Sequence, residues 1–202
     1  IVDSVTGLVG VELLVDEWDA DVTYSGTQKC LSAPPGISLI TFSDKAAARV
    51  QSRNTPVQSW FLDLSLLMAY WQGEGARTYH HTAPVNAMYG LHEALLMVKE
   101  EGIENAWQRH RDMHGLLAEG VRSLGLDFVV AAECRLPQLN LVRCPEGLDE
   151  AAVRRRLLEE YNLEIGAGLG AFAGKVWRIG LMGYSARREN VELCISALRS
   201  CI

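Results

Sequence analysis

The stretch 21–36, DVTYSGTQKCLSAPPG, decides how this chain is read. Val22 and Tyr24 alternate with polar residues, Ser25-Gly26-Thr27-Gln28 is small and polar, and Pro34-Pro35-Gly36 closes the run. The pattern predicts a short strand that stops in a tight polar turn carrying Lys29. A loop lysine is ordinarily a solvated charge, because lysine is so rarely buried. Here no other Lys or Arg lies close in sequence, and the residues beyond it stiffen the backbone. A lysine kept apart from like charges on a rigid turn can be desolvated toward the neutral amine that a Schiff-base nucleophile needs.

Upstream, Ile1-Val2 has the character of a buried strand end that delivers Asp3 to the strand's C-terminal edge, where ligands bind in parallel α/β sheets. Residues 5–11, with Gly7 and Gly10, predict a turn or short helix, and 15–18 leads into the Val22 strand. Downstream, 37–42 (ISLITF) is an apolar strand, and Ser43-Asp44 is an N-cap signal for a helix over 45–51. Residues 53–59 connect to an amphipathic helix over 61–71, followed by a polar loop at 72–77. Tyr79 to Pro84 is extended, with Pro84 placed to start a helix over 85–101 that Gly102 closes.

A domain boundary is expected there, giving units 1–102 and 103–202. The second unit opens with a helix over 103–124 that ends at Gly125 and turns Trp107, Leu116, Leu117 and Val121 to one face. Extended segments follow at 128–131, 138–142, 163–165 and 176–179. Helices at 148–161 and 187–200 alternate with them. That alternation predicts a small α+β domain with helices on one sheet face.

With 202 residues, 49% of them apolar, the chain can bury a substantial core. Its net charge of −6 is spread along the sequence without a basic stripe, so nucleic acid is not expected as a partner. No run approaches the ~18 apolar residues of a membrane span. The five cysteines are odd in number, widely spaced and never in a C-x-x-C pair, which points to a reducing compartment such as the cytoplasm. The opening Ile-Val-Asp implies that something has been lost in front of it.

An acid and a lysine on adjacent strand ends are what pyridoxal phosphate (PLP) chemistry asks for: the carboxylate keeps the pyridine nitrogen protonated, and the amine holds the aldehyde. The motifs VDSVTGLVG, YSGTQKCLSAPPG, YHHTAPV and GKVWRIGLMG resemble those of the alanine–glyoxylate and serine–pyruvate aminotransferases, of the class V, fold-type I PLP enzymes. The likeness runs along all 202 residues. It implies an α/β fold, the back part of a PLP-dependent transferase large domain (a mixed, mostly parallel sheet) followed by a small α+β C-terminal domain. It also implies roles. Asp3 would pair with the ring nitrogen, Val5 would pack on the ring, and Lys29 would form the Schiff base and shuttle the substrate proton. Gln28 would bind the phosphate, and Tyr79 and Thr82 would reach the phosphate held by a neighbouring subunit, making a homodimer part of the site. Arg178 would clamp the substrate carboxylate.

No metal is expected. His80 and His81 are adjacent on an extended segment and point apart, while His110 and His114 are flanked by Arg109 and Arg111 and lack an acidic partner, so they are expected on a solvated face. Gly166 to Gly170 (GAGLG) precedes a strand instead of opening a helix, so it predicts a turn that brings backbone close to substrate and not a dinucleotide site. In this family an aromatic residue that stacks on the ring and a phosphate-binding helix N-terminus both precede the position of Asp3. The 202 residues alone are therefore expected to bind PLP weakly and to be inactive. The function implied is ping-pong transfer of an amino group from alanine or serine to glyoxylate or pyruvate. The alternatives are a ureidoglycine–glyoxylate aminotransferase of purine catabolism, or a non-catalytic dimerisation remnant of the fold.

Overall fold

The computed structural model describes residues 1–72 and 78–202, which form two three-stranded sheets and six helices. In the first sheet β1 (Val2–Asp3) runs parallel to β2 (Val22–Gly26), and β2 pairs antiparallel with β3 (Ser38–Phe42), in the order β1-β2-β3. The sheet is therefore mixed. Because β1 and β2 run the same way, the loops that follow Asp3 and Gly26 leave from one edge. Residues 5–10 turn without forming a helix, closed by amides of Gly7 and Leu8 on the Ser4 carbonyl.

Ser43 caps α1 (Asp44–Gln51) by accepting from the Ala46 amide, as a serine at this position should. Helix α2 (Leu64–Gln72) begins three residues later than its apolar pattern suggested. Asp63 provides the reason: its carboxylate accepts from the Ser65 amide and its carbonyl from Leu67, so the helix is set from an acidic cap instead of from Phe61. Of the polar loop expected at 72–77, Gln72 instead ends α2, and 73–77 lie outside the described residues. Helix α3 (Val85–Glu101) starts with Pro84 at its cap, one position earlier than expected for the proline, and is separated from α4 (Ile103–Ser123) by Gly102 at φ 84°.

The second sheet has the order β4-β6-β5, all antiparallel: β4 (Leu139–Arg143), β6 (Val176–Gly180) and β5 (Gly166–Ala167). Two expected extended segments differ. Residues 128–131 contribute only a bridge between Phe128 and Val142, and the strand expected at 163–165 lies at 166–167, because Ile165 turns into the core while Gly166 and Ala167 pair with Arg178 and Trp177. Helices α4, α5 (Glu150–Tyr161) and α6 (Arg188–Cys201) complete this half. Asp149 caps α5 through the Ala151 and Ala152 amides. Leu117, Leu157, Leu198 and Trp177 are fully buried in one core, each aliphatic side chain contributing about 1.5–3 kcal/mol. On α4 the buried stripe is Ala106, His110, Leu117, Ala118 and Val121, whereas Trp107 and Leu116 are only partly covered. A second, smaller core joins Val9, Cys30 and Leu31 to Ala106, so the start of α4 packs on the loops that follow β1 and β2.

Candidate functional site

Asp3 ends β1 directly beside Tyr24 of β2. Its two carboxylate oxygens are both used: Oδ1 accepts from the Val5 amide at 2.9 Å and Oδ2 from the Tyr24 hydroxyl at 2.8 Å. The Val5 amide first, and Tyr24 second, hold the carboxyl below the usual carboxylate range, so Asp3 stays anionic. Nothing in the sequence assigns Tyr24 to the site. Its alternation with Val22 marks it as a strand residue, but only the parallel register puts its hydroxyl on Asp3.

Lys29 rides on a loop that closes on itself. The Thr27 hydroxyl donates to the Pro34 carbonyl at 2.6 Å, the Ala33 amide to the Thr27 carbonyl at 3.1 Å, and the Ser32 amide to the Lys29 carbonyl at 2.9 Å. Thr27, Cys30 and Leu31 are buried, and Lys29 is half-buried. Among the described residues no carboxylate lies within ion-pair distance of Lys29, which leaves its amine uncommitted. Two non-glycine residues in the left-handed region flank this pair of loops, Val9 at φ 69° and Ser32 at φ 56°. For a β-branched residue such as Val9 that conformation stores strain on the order of 1–3 kcal/mol, which the surrounding packing must hold.

The Asp3 and Lys29 loops are also tied together. Ser4 donates its amide and its hydroxyl to the Tyr24 carbonyl, Ser25 returns a bond to the Ser4 carbonyl, and the Cys30 thiol sits 3.6 Å from the Thr6 carbonyl. Burial pushes the Cys30 thiol up to about 11, so this cysteine is a packed apolar residue and not a nucleophile. Lys29 and Gln28 line a cleft of about 1200 Å³ between the Lys29 loop, α3 and the segment after β6. Gln28 folds back over Gly26, where a Cβ would meet its Oε1 at 2.7 Å.

Arg178 lies apart from that cleft, on β6. It is half-buried, its Nε donates to the Ala167 carbonyl at 2.6 Å, and Gly166 leaves room for the guanidinium to lie across β5, since a Cβ there would stand 3.3 Å from Nε and Nη2. Tyr79 and Thr82 hydrogen-bond each other through their hydroxyls on the extended segment and make no hydrogen bond to Asp3 or Lys29. The structure thus brings Asp3, Val5, Gln28 and Lys29 to one edge, and leaves Arg178 and the Tyr79–Thr82 pair on separate elements.

His110 corrects an expectation. It is fully buried instead of solvated, with Nδ1 on the Ala106 carbonyl at 2.6 Å and Nε2 accepting from the Gly183 amide at 2.9 Å. His114 is half-buried, bonded to Asn140 Oδ1 at 2.7 Å and tilted against Phe128. The arginines that made this stretch look solvated are themselves engaged: Arg109 pairs with Glu101, and Arg111 reaches Gln108. His80 and His81, expected to point apart, instead meet Nδ1 to Nδ1 at 2.8 Å, because His80 is drawn into a stack on Trp60 and a bond to the Trp60 carbonyl. Among the described residues no group of three or more His, Cys, Asp or Glu is placed to hold a metal, and no helix is long and apolar enough to cross a membrane. All five cysteines are free thiols.

An anionic carboxylate and an uncommitted amine on tied loops leaving one sheet edge are, in residue type, the two groups that the ends of a PLP ring call for, although Asp3 does not line the cleft that holds Lys29. Comparison with known proteins bears on this directly. The aminotransferase class-V family model matches residues 1–193. Alanine–glyoxylate aminotransferase of Rattus norvegicus is 44% identical over 204 residues, covering all of this chain and 49% of its own length. (S)-Ureidoglycine–glyoxylate transaminase of Bacillus subtilis is 37% identical over 220 residues, covering all of this chain and 52% of its own. Of solved structures, alanine–glyoxylate aminotransferase from Nostoc sp. superposes with a TM-score of 0.95 at 48% identity, over 98% of this chain and 52% of that one. Ureidoglycine–glyoxylate aminotransferase from Bacillus subtilis superposes at 0.94 and 40%, over 98% and 51%. The chain spans about half the length of the curated relatives it matches.

Proposed function

Because the chain belongs to the class-V aminotransferases, with a family match from residue 1 to 193, we propose that it carries the amine-holding half of a PLP-dependent transaminase that uses glyoxylate or pyruvate as amino acceptor and a small amino acid, alanine or serine, as donor. The observation that carries the reading is the pairing of Asp3, kept anionic by Val5 and Tyr24, with the free amine of Lys29 on loops leaving one edge. When bound, PLP supplies an electron-withdrawing ring that lets the α-proton of an amino acid leave. Asp3 would hold the ring nitrogen's proton in place by its charge, and Val5 would pack on the ring. Lys29 Nζ would hold the cofactor's aldehyde and, once the incoming substrate amine had displaced it, would be the free base that takes the α-proton. Gln28 would donate to the phosphate. Tyr79 and Thr82 would donate to the phosphate held by a second copy of the chain, which would make the working unit a homodimer. Arg178 grips the substrate carboxylate with its planar fork of donors.

Glyoxylate is named in both the alanine–glyoxylate and the ureidoglycine–glyoxylate relatives, which favours it as acceptor and leaves the donor to be chosen. A ureidoglycine donor is the second reading, favoured by the 40% identity and 0.94 TM-score of the Bacillus subtilis structure. Borohydride reduction of the PLP-loaded protein followed by peptide mapping tests the cofactor assignment: a pyridoxyl group is expected on Lys29, and its absence there ends the proposal. Donor profiling with alanine, serine and ureidoglycine against glyoxylate then separates the two readings.

A further inference from the structure

The two groups that would grip one amino acid come from different sheets: Lys29 from the loop after β2, Arg178 from β6. An amino group and a carboxylate on one α-carbon are only two bonds apart. The residues that hold them must be fixed to within about 0.5 Å, and a misplacement of about 1 Å can cost about 100-fold. Whatever sets the spacing between the Lys29 loop and β6 therefore bears on the rate.

That spacing runs through Gly183, five residues beyond Arg178. Its peptide is held by two consecutive residues of α4, since His110 Nε2 accepts its N–H at 2.9 Å and Arg109 Nη1 donates to its carbonyl at 2.6 Å. On the other side Gly183, at φ 55°, is pressed on the Lys29 loop. A Cβ there would collide with Ser32 Oγ and the Cys30 carbonyl oxygen, and would stand 3.0 Å from the Cys30 carbonyl carbon. Ser32 Oγ also accepts the next amide, that of Tyr184, at 2.8 Å.

Arg109 is fixed from behind by a two-pronged bond to Glu101. His110 works only as a neutral imidazole with its proton on Nδ1, facing the Ala106 carbonyl, which leaves the Nε2 lone pair for Gly183. A second tie runs parallel to this one. The Leu181 amide donates to the Gln138 carbonyl at 3.0 Å, and buried Gln138 donates from Nε2 to the Thr6 carbonyl at 2.6 Å, the same carbonyl that the Cys30 thiol meets.

We infer that Arg109 and His110 are positioning residues, which by gripping Gly183 against Cys30 and Ser32 fix the carboxylate-binding Arg178 at its working distance from Lys29. This rests on the reading of Arg178 as the carboxylate ligand, and the test keeps the two apart. In the PLP-loaded holoenzyme, His110→Leu removes the acceptor and His110→Gln restores one. Ser32→Ala loosens the contact from the loop side, and Arg178→Lys is the reference. Each is assayed with alanine and with alaninamide, which keeps the amine and lacks the carboxylate. Each is also titrated with 2-methylalanine, which cannot react onward, through the cofactor absorbance.

His110→Leu is expected to raise KM for alanine and the dissociation constant of 2-methylalanine about 10- to 100-fold. Alaninamide kinetics should stay within about threefold, and His110→Gln should recover most of the loss. If His110→Leu does not fold, Ser32→Ala gives the same discrimination on a smaller scale. Equal losses with alanine and alaninamide, or no loss with either, overturn the positioning role. If Arg178→Lys itself fails to distinguish the two substrates, the carboxylate assignment falls. If it distinguishes them and the His110 and Ser32 variants do not, only the positioning inference falls.

Discussion

Replacing Gly183 by alanine measures how tightly the two halves of the site are pressed together. Two costs add. The first is conformational, because Gly183 sits at φ 55°, where an L side chain costs about 1–2 kcal/mol. The second is steric. The new methyl would have to enter space occupied by Ser32 Oγ and the Cys30 carbonyl, and since the latter is backbone of the Lys29 loop it cannot swing aside; overpacking of this kind costs about 1–3 kcal/mol. The sum is about 2–5 kcal/mol.

Gly174→Ala is the matched control, because Gly174 is also left-handed, at φ 72°, yet a Cβ there meets nothing within 4 Å. It should lose only the conformational part, about 1–2 kcal/mol. Urea unfolding of the parent and both variants, with the slope compared as well as the midpoint, isolates the steric part as the difference. Visible absorbance of the bound cofactor, followed in the same titrations, reports whether the Lys29 loop moves first. If the two variants are equally stable within about 0.5 kcal/mol, Gly183 is not wedged against Cys30 and this contact sets no distance.

Three other outcomes follow from the same geometry. Burial drives the His110 imidazole below its usual value, with Arg109 adding to that and the Ala106 carbonyl and Glu101 opposing it. An unfolded histidine takes up a proton near pH 6.5 while the folded one resists, so the stability held by this site is whole above that pH and is lost as pH falls toward the lower folded value. His110→Gln should flatten the acid side of the stability curve measured between about pH 5 and 8, and an unchanged curve would count against a neutral buried imidazole. Asp3→Asn keeps the shape and removes the charge, and should lower turnover about 10²–10³-fold, while Tyr24→Phe, which leaves the carboxylate and its bond to Val5, should cost about tenfold or less; equal effects would contradict the assignment. With a thiol reagent at neutral pH, exposed Cys134 should react alone in the fast phase, because burial pushes Cys30 up to about 11 and Cys194 up to about 12. Rapid labelling of Cys30 would mean that the Lys29 loop opens.

Where structure is local, neighbouring residues suffice to specify it. The helix over Val85–Glu101 with Gly102 behind it, the Ser43 cap, the strand that ends ahead of Lys29 and the placing of Asp3 at a strand end all depend on residues within one or two turns of each other. The ordered motifs added the family, which the match over residues 1–193 upholds. Long-range packing is what brings the Tyr24 hydroxyl to Asp3 and makes His110 a core residue gripping Gly183, 73 positions away. Sequence pattern misled there because Arg109 and Arg111 gave the helix face a polar look, whereas Arg109 is neutralised by Glu101 and turned inward to the Gly183 carbonyl. Polarity along a chain reports what each residue would prefer in water. Whether a charge is matched by a partner from elsewhere in the fold, and so can be buried, depends on long-range packing that no local window contains.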